Sequence, residues 1–212
     1  VNTPSPTGYE GPLAKLTVDE MRKCGLQAEY QMMNSDRGNA IGRLSGTGEG
    51  PELLLYSHLD HYVSGAEDDS LVFGSLDLPD LKPEATQAGR IVHGIGAGNP
   101  KAGSAVSLHA AESIIKAGIP LLGNFTGGIV SAGIHRTKVI GGKPYLEKRH
   151  EGMGIGCEYM LANGVNPDFA VSSKVGYAVC WEEPGMLWVK LSLKGGVGYV
   201  ARRGTFKSAI MD

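Results

Sequence analysis

The sequence predicts an α/β domain with a mixed, mostly parallel sheet and helices on both faces, for three reasons. Segments with apolar residues at helical spacing alternate along the chain with short apolar runs. Residues 53–56 are continuously apolar, as in a central strand that is buried on both faces. The 32 glycines form clusters between these segments, where turns are expected. Alternation of helices and strands is typical of a sheet covered on both sides.

The individual elements follow from these patterns in chain order. Helices are predicted where an amphipathic or apolar segment ends at a glycine, at residues 10–24, 101–117 and 153–163. Strands are predicted at apolar or alternating runs, at residues 26–33, 39–44, 53–56, 124–132, 169–173 and 186–194. Residues 62–92 are polar with scattered proline and glycine, so we expect a long loop there.

Charge and composition exclude several classes of partner. The chain has 20 Lys and Arg against 22 Asp and Glu, and no basic stripe, so nucleic acid and anionic membranes are not expected to bind. The longest apolar runs are too short to cross a bilayer, and the polar opening does not read as a signal peptide. Three dispersed cysteines fit a cytoplasmic protein without a disulfide framework. We interpret them as small buried side chains, with a thiol nucleophile as the alternative.

The pair His58 and Asp60 directly follows the predicted central strand. Ligands bind at the carboxyl ends of strands in sheets of this kind. A neutral imidazole can hold a metal ion while a carboxylate fixes its tautomer. Ordinary polar residues at a strand end would give the same local pattern. The segment His58-Leu59-Asp60 alone therefore does not establish a metal site.

Support for such a site comes from segments that resemble a known family in the right order. They are residues 3–10, 39–44, the strand 55–60 that ends in His58-Leu59-Asp60, the glycine-rich 93–103, 166–170 and 185–195. Together they resemble the zinc aminoacylase and carboxypeptidase family, which includes acetylornithine deacetylase, succinyl-diaminopimelate desuccinylase and allantoate amidohydrolase. The resemblance covers essentially the whole chain.

The resemblance implies a domain plan and a function. Residues 1–185 would form the catalytic-type α/β domain, incomplete at its C-terminal part, and residues 186–212 would begin a smaller α+β lid domain. The implied activity is hydrolysis of a C–N bond in a small amide: an N-acyl amino acid, a ureido compound or a cyclic amide. The family often dimerises through the lid, so a homodimer is expected. Because residues 206–212 begin a helical pattern that soon stops, a complementary second chain is the alternative.

The implied site contains two zinc ions, and this sequence departs from it at most positions. His58 would bind zinc and Asp60 would orient it, while zinc lowers the pKa of a bound water for attack on the amide. The bridging aspartate falls on Asn99, the glutamate pair falls near His135, and a later acid falls near Ser173. The lid-domain histidine expected after Gly195 is absent from the sequence. A two-zinc centre is therefore not expected.

One interpretation is a rewritten site with one divalent metal ion, zinc or manganese. We assign His58 and Asn99 as ligands, and His135 and Asp60 as the catalytic pair, with His61 and His93 near the same cleft. We assign Lys101 and Ser173 to substrate binding. Lys101 begins a predicted helix whose N-terminus would favour a carboxylate, and Ser173 lies at the end of a predicted strand. The histidines at positions 61, 109 and 150 are expected to be exposed to solvent.

Two further interpretations stay open. Hydrolysis without a metal would use Ser172 or Ser173 as a nucleophile, activated by Lys174 or a nearby histidine. Alternatively, the chain is a catalytically inactive homologue that serves as a structural or regulatory subunit. Loss of several ligands together is what relaxed selection on the chemistry would produce.

Overall fold

The computed structural model describes residues 1–61, 77–134, 152 and 154–174, and the backbone of residues 139–140 and 143–144. Its strands are β1 (Gln27–Met32), β2 (Gly38–Leu44), β3 (Leu53–His58), β4 (Thr86–Ala88), β5 (Ile91–His93), β6 (Phe125–Val130), β7 (Val139–Ile140), β8 (Lys143–Pro144) and β9 (Phe169–Ser172). Its α-helices are α1 (Gly11–Lys23), α2 (Ala102–Lys116) and α3 (Ile155–Ala162). None of the described helices is long and apolar enough to cross a membrane.

The central sheet is mixed and has five strands in the order β1-β2-β6-β3-β9. Strand β2 pairs antiparallel with both β1 and β6, whereas β3 pairs parallel with both β6 and β9. Only β2 therefore runs against the other strands of this sheet. The prediction of a mixed, mostly parallel sheet is confirmed.

Both faces of the sheet are covered by helices, as predicted. On one face, Met21 of α1 and Ala111 of α2 pack with Ile129 of β6. On the other face, Met160 of α3 packs with Val130, the next residue of the same strand. Neighbouring residues of a strand point to opposite faces, so β6 is buried on both sides.

The close approach of α3 depends on a residue without a side chain. A Cβ atom at Gly128 of β6 would lie 2.6 Å from Sδ of Met160. Glycine at this position therefore lets the helix settle on the sheet, at the modest cost of weakening a strand interior.

The predicted elements that lie within the described residues agree with the described ones apart from small shifts at their ends, but the hairpin of β7 and β8 was not predicted. The predicted long loop contains a 3-10 turn at Pro79–Leu81 and the hairpin formed by β4 and β5. The strand predicted at residues 186–194 and the domain boundary at 185/186 lie outside the described residues and stay predictions.

Parallel strands bring their carboxyl ends to one edge of the sheet. In this protein β3, β6 and β9 end there at His58, Val130 and Ser172. Side chains at and just after these three positions are therefore neighbours, although they are far apart in the sequence.

Candidate functional site

The imidazole of His58 is held by the carboxylate of Asp60. Nδ1 of His58 lies 3.1 Å from Oδ1 of Asp60, and Asp60 is completely buried. Because an ionised carboxylate only accepts hydrogen bonds, the imidazole must donate from Nδ1. The other ring nitrogen, Nε2, then carries the lone pair of a neutral imidazole and can act as a ligand or a base.

Asp60 also binds three donors from outside its own strand. Oδ2 accepts hydrogen bonds from Oγ1 of Thr7 at 2.8 Å and from the N–H of Ile134 at 3.1 Å, and Oδ1 accepts from the N–H of Gly133 at 2.7 Å. Burial by itself would raise the pKa of Asp60, but the hydrogen bonds from His58, Thr7 and Gly133 hold that pKa below its usual value. Asp60 is therefore ionised at neutral pH.

A second buried carboxylate fixes the same loop. Oε1 of Glu10 accepts hydrogen bonds from Nη2 of Arg37 at 2.8 Å and from the N–H of Ala132 at 3.0 Å. Glu10 is completely buried, and Oε2 has no hydrogen-bond partner among the described residues. Burial raises the pKa of Glu10, with the Arg37 guanidinium acting in the opposite direction. Ala132 itself has a φ of 61°, which is unusual for a residue with a Cβ.

The amide side chain of Asn39 joins this loop to α3. Oδ1 of Asn39 accepts from the N–H of Ser131 at 2.9 Å, and Nδ2 donates to the carbonyl of Gly156 at 2.8 Å. The N–H of Gly154 donates to the carbonyl of Ala132 at 2.8 Å. Consecutive amides from residue 131 to residue 134 are thus bound by Asn39, Glu10 and Asp60 in turn. The loop after β6 and the start of α3 form one hydrogen-bonded unit beside His58.

His58 faces a small cavity at this edge of the sheet. The cavity has a volume of about 180 Å³, and its lining includes His58, Val130, Gly133, Cys157, Ser172 and Lys174. His58 is 9% exposed, and its Nε2 has no hydrogen-bond partner among the described residues. Sites for small molecules usually enclose ~300–1,000 Å³. The cavity formed by the described residues is therefore smaller than a usual small-molecule site.

Ser173 and Lys101 both have internal partners. The N–H of Ser173 donates to the carbonyl of Tyr56 at 2.8 Å, and Ser172, not Ser173, lines the cavity. Nζ of Lys101 donates to the carbonyls of Thr3 at 3.0 Å and Val1 at 3.3 Å. Burial lowers the pKa of Lys101 to about 8. Lys101 thus holds the N-terminal segment in place, and its role in substrate binding stays a prediction.

Asn99 lies apart from the His58 cavity. It lies in the kinked segment Ala97–Lys101, where its own backbone is extended (φ −137°, ψ 114°), and lines a different cavity of about 470 Å³, together with His61 and His93. Nδ1 of His93 lies 2.9 Å from Oδ1 of Asp80. The structure therefore gives His58 and Asn99 different cavities, although the sequence analysis assigned both to one metal ion.

The expectation that His61 is exposed is wrong. His61 is 3% exposed, and its Nε2 accepts a hydrogen bond from the N–H of Ser5 at 2.8 Å. This bond and a β-bridge to Pro6 fix the N-terminal segment against the end of β3. The side chain of His109 is 80% exposed, as expected. The predicted catalytic residue His135 and the histidine at position 150 lie outside the described residues.

The donor set of the described residues does not form a metal site. Within residues 1–61, 77–134 and 154–174, no group of three or more His, Cys, Asp or Glu side chains could hold a metal ion. Zinc in proteins takes at least three protein ligands, and His58 supplies one. A metal ion at His58 would need ligands from outside the described residues.

Thr7, Glu10 and Asn39 were not predicted from the sequence as parts of the site. Thr7 is 53 residues from Asp60, Glu10 is 122 residues from Ala132, and Asn39 is 117 residues from Gly156. Contacts across such separations leave no local pattern. The available signals were that all three are polar residues near the ends of elements, and that residues 3–10 and 39–44 are among the segments that carry the family resemblance.

No protein-family model matches the chain. Its fold is similar to that of an M20 family metallo-carboxypeptidase from Sulfolobus solfataricus, with a TM-score of 0.56 and 14% identity over 82% of this chain. It is also similar to a tripeptidase from Staphylococcus aureus, with a TM-score of 0.53 and 16% identity over 83% of this chain. Human carnosine dipeptidase 1 matches with a TM-score of 0.50 and 16% identity over 78% of this chain.

At these identities the likeness shows a shared fold. The matches cover 35%, 41% and 33% of the three solved chains, so this chain spans well under half the length of each.

Proposed function

We propose that this protein hydrolyses a C–N bond in a small amide and is a divergent member of the zinc aminoacylase and carboxypeptidase family. One observation carries the proposal: the His58 imidazole is fixed by buried Asp60 at the carboxyl end of β3, with Nε2 beside a cavity. The similar solved structures support it, because a carboxypeptidase, a tripeptidase and a dipeptidase all act on C–N bonds of peptides.

The chemistry proposed for His58 is proton transfer at Nε2. Asp60 keeps the proton on Nδ1 and stabilises the imidazolium that forms when Nε2 accepts a second proton. General acid–base catalysis by a positioned imidazole accelerates such reactions by ~10²–10⁴-fold. Asp60 acts through His58 and is therefore a positioning residue.

The remaining assignments continue as proposals. His135 follows Ile134, whose N–H is bound to Asp60, and this supports a place near the site for His135. As the alternative to proton transfer, Nε2 of His58 would ligate a single zinc or manganese ion, which would supply a Lewis acid to polarise the amide carbonyl. Because the described residues do not complete its ligand set, we assign no step to it. A homodimer or a complementary second chain, and a cytoplasmic location, also stay proposals.

A hydrolysis screen of the purified chain tests the function. N-acyl amino acids, ureido compounds and cyclic amides are incubated with the protein, with and without a chelator, beside elemental analysis for zinc and manganese. We expect turnover of at least one class. Loss of turnover with chelator, together with a bound metal, supports the single-metal site. Absence of turnover in every condition overturns the proposal and favours an inactive subunit.

A pair of histidine variants assigns that turnover to the site. His58→Ala should lower the rate by ~10²–10⁴-fold. His109→Ala is the matched control, because that side chain is exposed on α2, and it should leave the rate unchanged. Equal rates in the two variants would overturn the assignment of His58.

A further inference from the structure

We propose that Glu10 is a positioning residue of this site, which acts through Ala132 and Gly133 on the imidazole of His58. The inference rests on the proposed hydrolase function and deepens it, because it gives a role in the reaction to a buried carboxylate that does not line the cavity. The ring of His58 must be held in one orientation whether Nε2 transfers a proton or ligates a metal ion.

Glu10 occupies the N-cap position of α1, but its carboxylate does not cap that helix. An N-cap side chain usually accepts a hydrogen bond from the first turn of its own helix. Here Oε1 accepts from Nη2 of Arg37 at 2.8 Å and from the N–H of Ala132 at 3.0 Å. The carboxylate is therefore directed to the loop after β6, 122 residues away in the sequence.

Ala132 depends on such an acceptor because of its own conformation. Its φ of 61° lies in the left-handed region, which costs free energy for a residue with a Cβ and persists only where the surroundings hold it. Ala132 is completely buried, and its carbonyl accepts from the N–H of Gly154 at 2.8 Å. Without Glu10, a buried N–H would lose its acceptor at a strained residue, so we expect this turn of the loop to shift.

The next residue carries such a shift to the imidazole. Gly133 packs directly on the ring of His58. Its N–H donates at 2.7 Å to Oδ1 of Asp60, the same oxygen that binds Nδ1 of His58. A change of φ and ψ at Ala132 would therefore alter both the packing on the ring and the hydrogen bond that orients it.

Stability alone is a weak reason for a carboxylate at position 10. Glu10 is completely buried, Arg37 is 3% exposed, and burial raises the pKa of Glu10. Well-packed apolar residues of similar volume are often as stabilising as a buried ion pair, or more so. The N–H of Ala132, in contrast, requires a hydrogen-bond acceptor at this point of the structure.

Asn39 is the competing anchor of the loop, and it acts one residue earlier. Its Oδ1 accepts from the N–H of Ser131 at 2.9 Å, and Oγ of Ser131 donates to the carbonyl of Gly38 at 2.6 Å. Ser131 is thus held to β2 by two hydrogen bonds that do not involve Glu10. We therefore expect the effect of Glu10 to begin at Ala132 and to leave Ser131 in place.

Two double variants of the full chain that differ in the acceptor at position 10 test the proposal. Glu10→Gln/Arg37→Met and Glu10→Met/Arg37→Met both lack the buried charges. Glutamine can accept from Ala132 with its side-chain carbonyl, whereas methionine, of about the same length, cannot. A difference between the two variants thus reports the hydrogen bond and not the ion pair. Glu29→Gln/Arg43→Met, in an exposed pair, is the matched control and should behave as the natural protein.

Nuclear magnetic resonance tests the contact without a substrate. We expect the amides of Ala132 and Gly133 to exchange ~10-fold faster in the methionine variant than in the glutamine variant, with equal exchange at Ser131. The imidazole signals of His58, assigned with His58→Ala, should differ between the two variants. Equal exchange at Ala132, or identical His58 signals, would overturn the inference.

A backbone variant keeps the test decisive if the methionine variant does not fold. Lactic acid in place of Ala132 replaces the N–H by an oxygen and leaves Glu10 and Arg37 intact. Relative to the natural protein, it should speed exchange at Gly133 and shift the His58 signals. If neither changes, Glu10 does not position the ring.

Kinetics separate this inference from the proposed function. N-acetyl-L-alanine, N-carbamoyl-L-alanine and hydantoin each represent one substrate class. We expect kcat of the methionine variant to be ~10²-fold below that of the glutamine variant, with similar KM and melting temperature, because a misplacement of ~1 Å can cost that much in rate. Equal kcat, or a loss that only follows a lower melting temperature, would overturn the positioning role and keep the hydrolase. No turnover by the natural protein would overturn the hydrolase, while shifted His58 signals would still support positioning of the ring.

Discussion

Gly133 lies directly against the imidazole of His58. A Cβ atom at position 133 would overlap Cβ and Cγ of His58 and would come within 2.9 Å of Nδ1. The N–H of the same glycine donates to Asp60, the residue that orients the ring. One backbone position therefore fixes both members of the pair, and the absence of a side chain there is part of the site.

We expect Gly133→Ala to lower amide hydrolysis by ~10²-fold, because relief of the overlap moves the ring by ~1 Å, and a misplacement of ~1 Å can cost that much in rate. The comparison is with Gly98→Ala, since a Cβ at position 98 meets nothing within 4 Å. Steady-state kinetics of both variants, with melting temperatures, would check this. Equal activity in the two variants would show that the contact with His58 does not matter.

Asp60→Asn should lower the free energy of unfolding by about 1–3 kcal/mol at neutral pH, because a buried N–H donor of the loop loses its acceptor. The amide can present one acceptor but places an NH₂ group against N–H donors that now bind Oδ1 or Oδ2. Urea denaturation of the variant and the natural protein measures the difference. A change below 1 kcal/mol would contradict the hydrogen-bond pattern described for Asp60.

The same pair of proteins should show a defined pH dependence. The pKa of Asp60 is lower in the folded protein than its ordinary value of 3.8. Its contribution is therefore complete above that value and is lost as the pH falls through the lowered pKa. The difference in stability between the natural protein and Asp60→Asn should shrink in acid. A constant difference across pH would sink this prediction.

The contribution of Glu10 to stability should depend on pH in the direction opposite to that of Asp60. Burial raises its pKa above the ordinary value of 4.5, so its contribution is complete below that value and is lost as the pH rises through the raised pKa. Glu10→Gln should remove this loss. The free energy of unfolding of the variant and of the natural protein is measured in acid and at neutral pH, and the difference between the two proteins is compared. If that difference does not change with pH, the carboxylate is not perturbed.

Arg37 and Glu10 should be energetically coupled. Arg37→Met leaves a buried carboxylate without its cation and should cost about 3–5 kcal/mol of stability. In Glu10→Gln/Arg37→Met both charges are gone, so the double variant should be more stable than Arg37→Met. The double-mutant cycle should give a coupling energy of about 0.5–3 kcal/mol, and additive effects would mean that the ion pair contributes nothing. Arg43→Met, which breaks an exposed pair with Glu29, is the control and should cost little.

The elements of the fold were largely predictable from the sequence because their signals are local. The helix ending at Gly118 and the continuously apolar strand at residues 53–56 are recognised within a few residues of chain. Hydrophobic periodicity does not determine the order of the strands in the sheet. The position of β6 between β2 and β3 was therefore known only from the structure.

Less of the site was predictable, for a physical reason. His58 and Asp60 are two residues apart, and their contact follows from the end of one strand. Glu10 and Asn39 act on backbone groups more than 90 residues away, and Cys157 reaches the cavity only because Gly154 and its neighbours dock on the loop after β6. His61 was misjudged because its partner, Ser5, is also distant in the sequence.

The position of β6 has a consequence for the order in which the protein can assemble. Strands β2 and β3 follow each other in the chain but are separated by β6, which is synthesised much later. Until residues 131–134 have left the ribosome, Asp60 lacks the two backbone amides that it binds in the folded protein, Glu10 lacks the amide of Ala132, and Asp60 must stay hydrated. The polar groups that later define the cleft thus delay burial of the N-terminal third of the chain. They couple completion of the sheet to completion of the site.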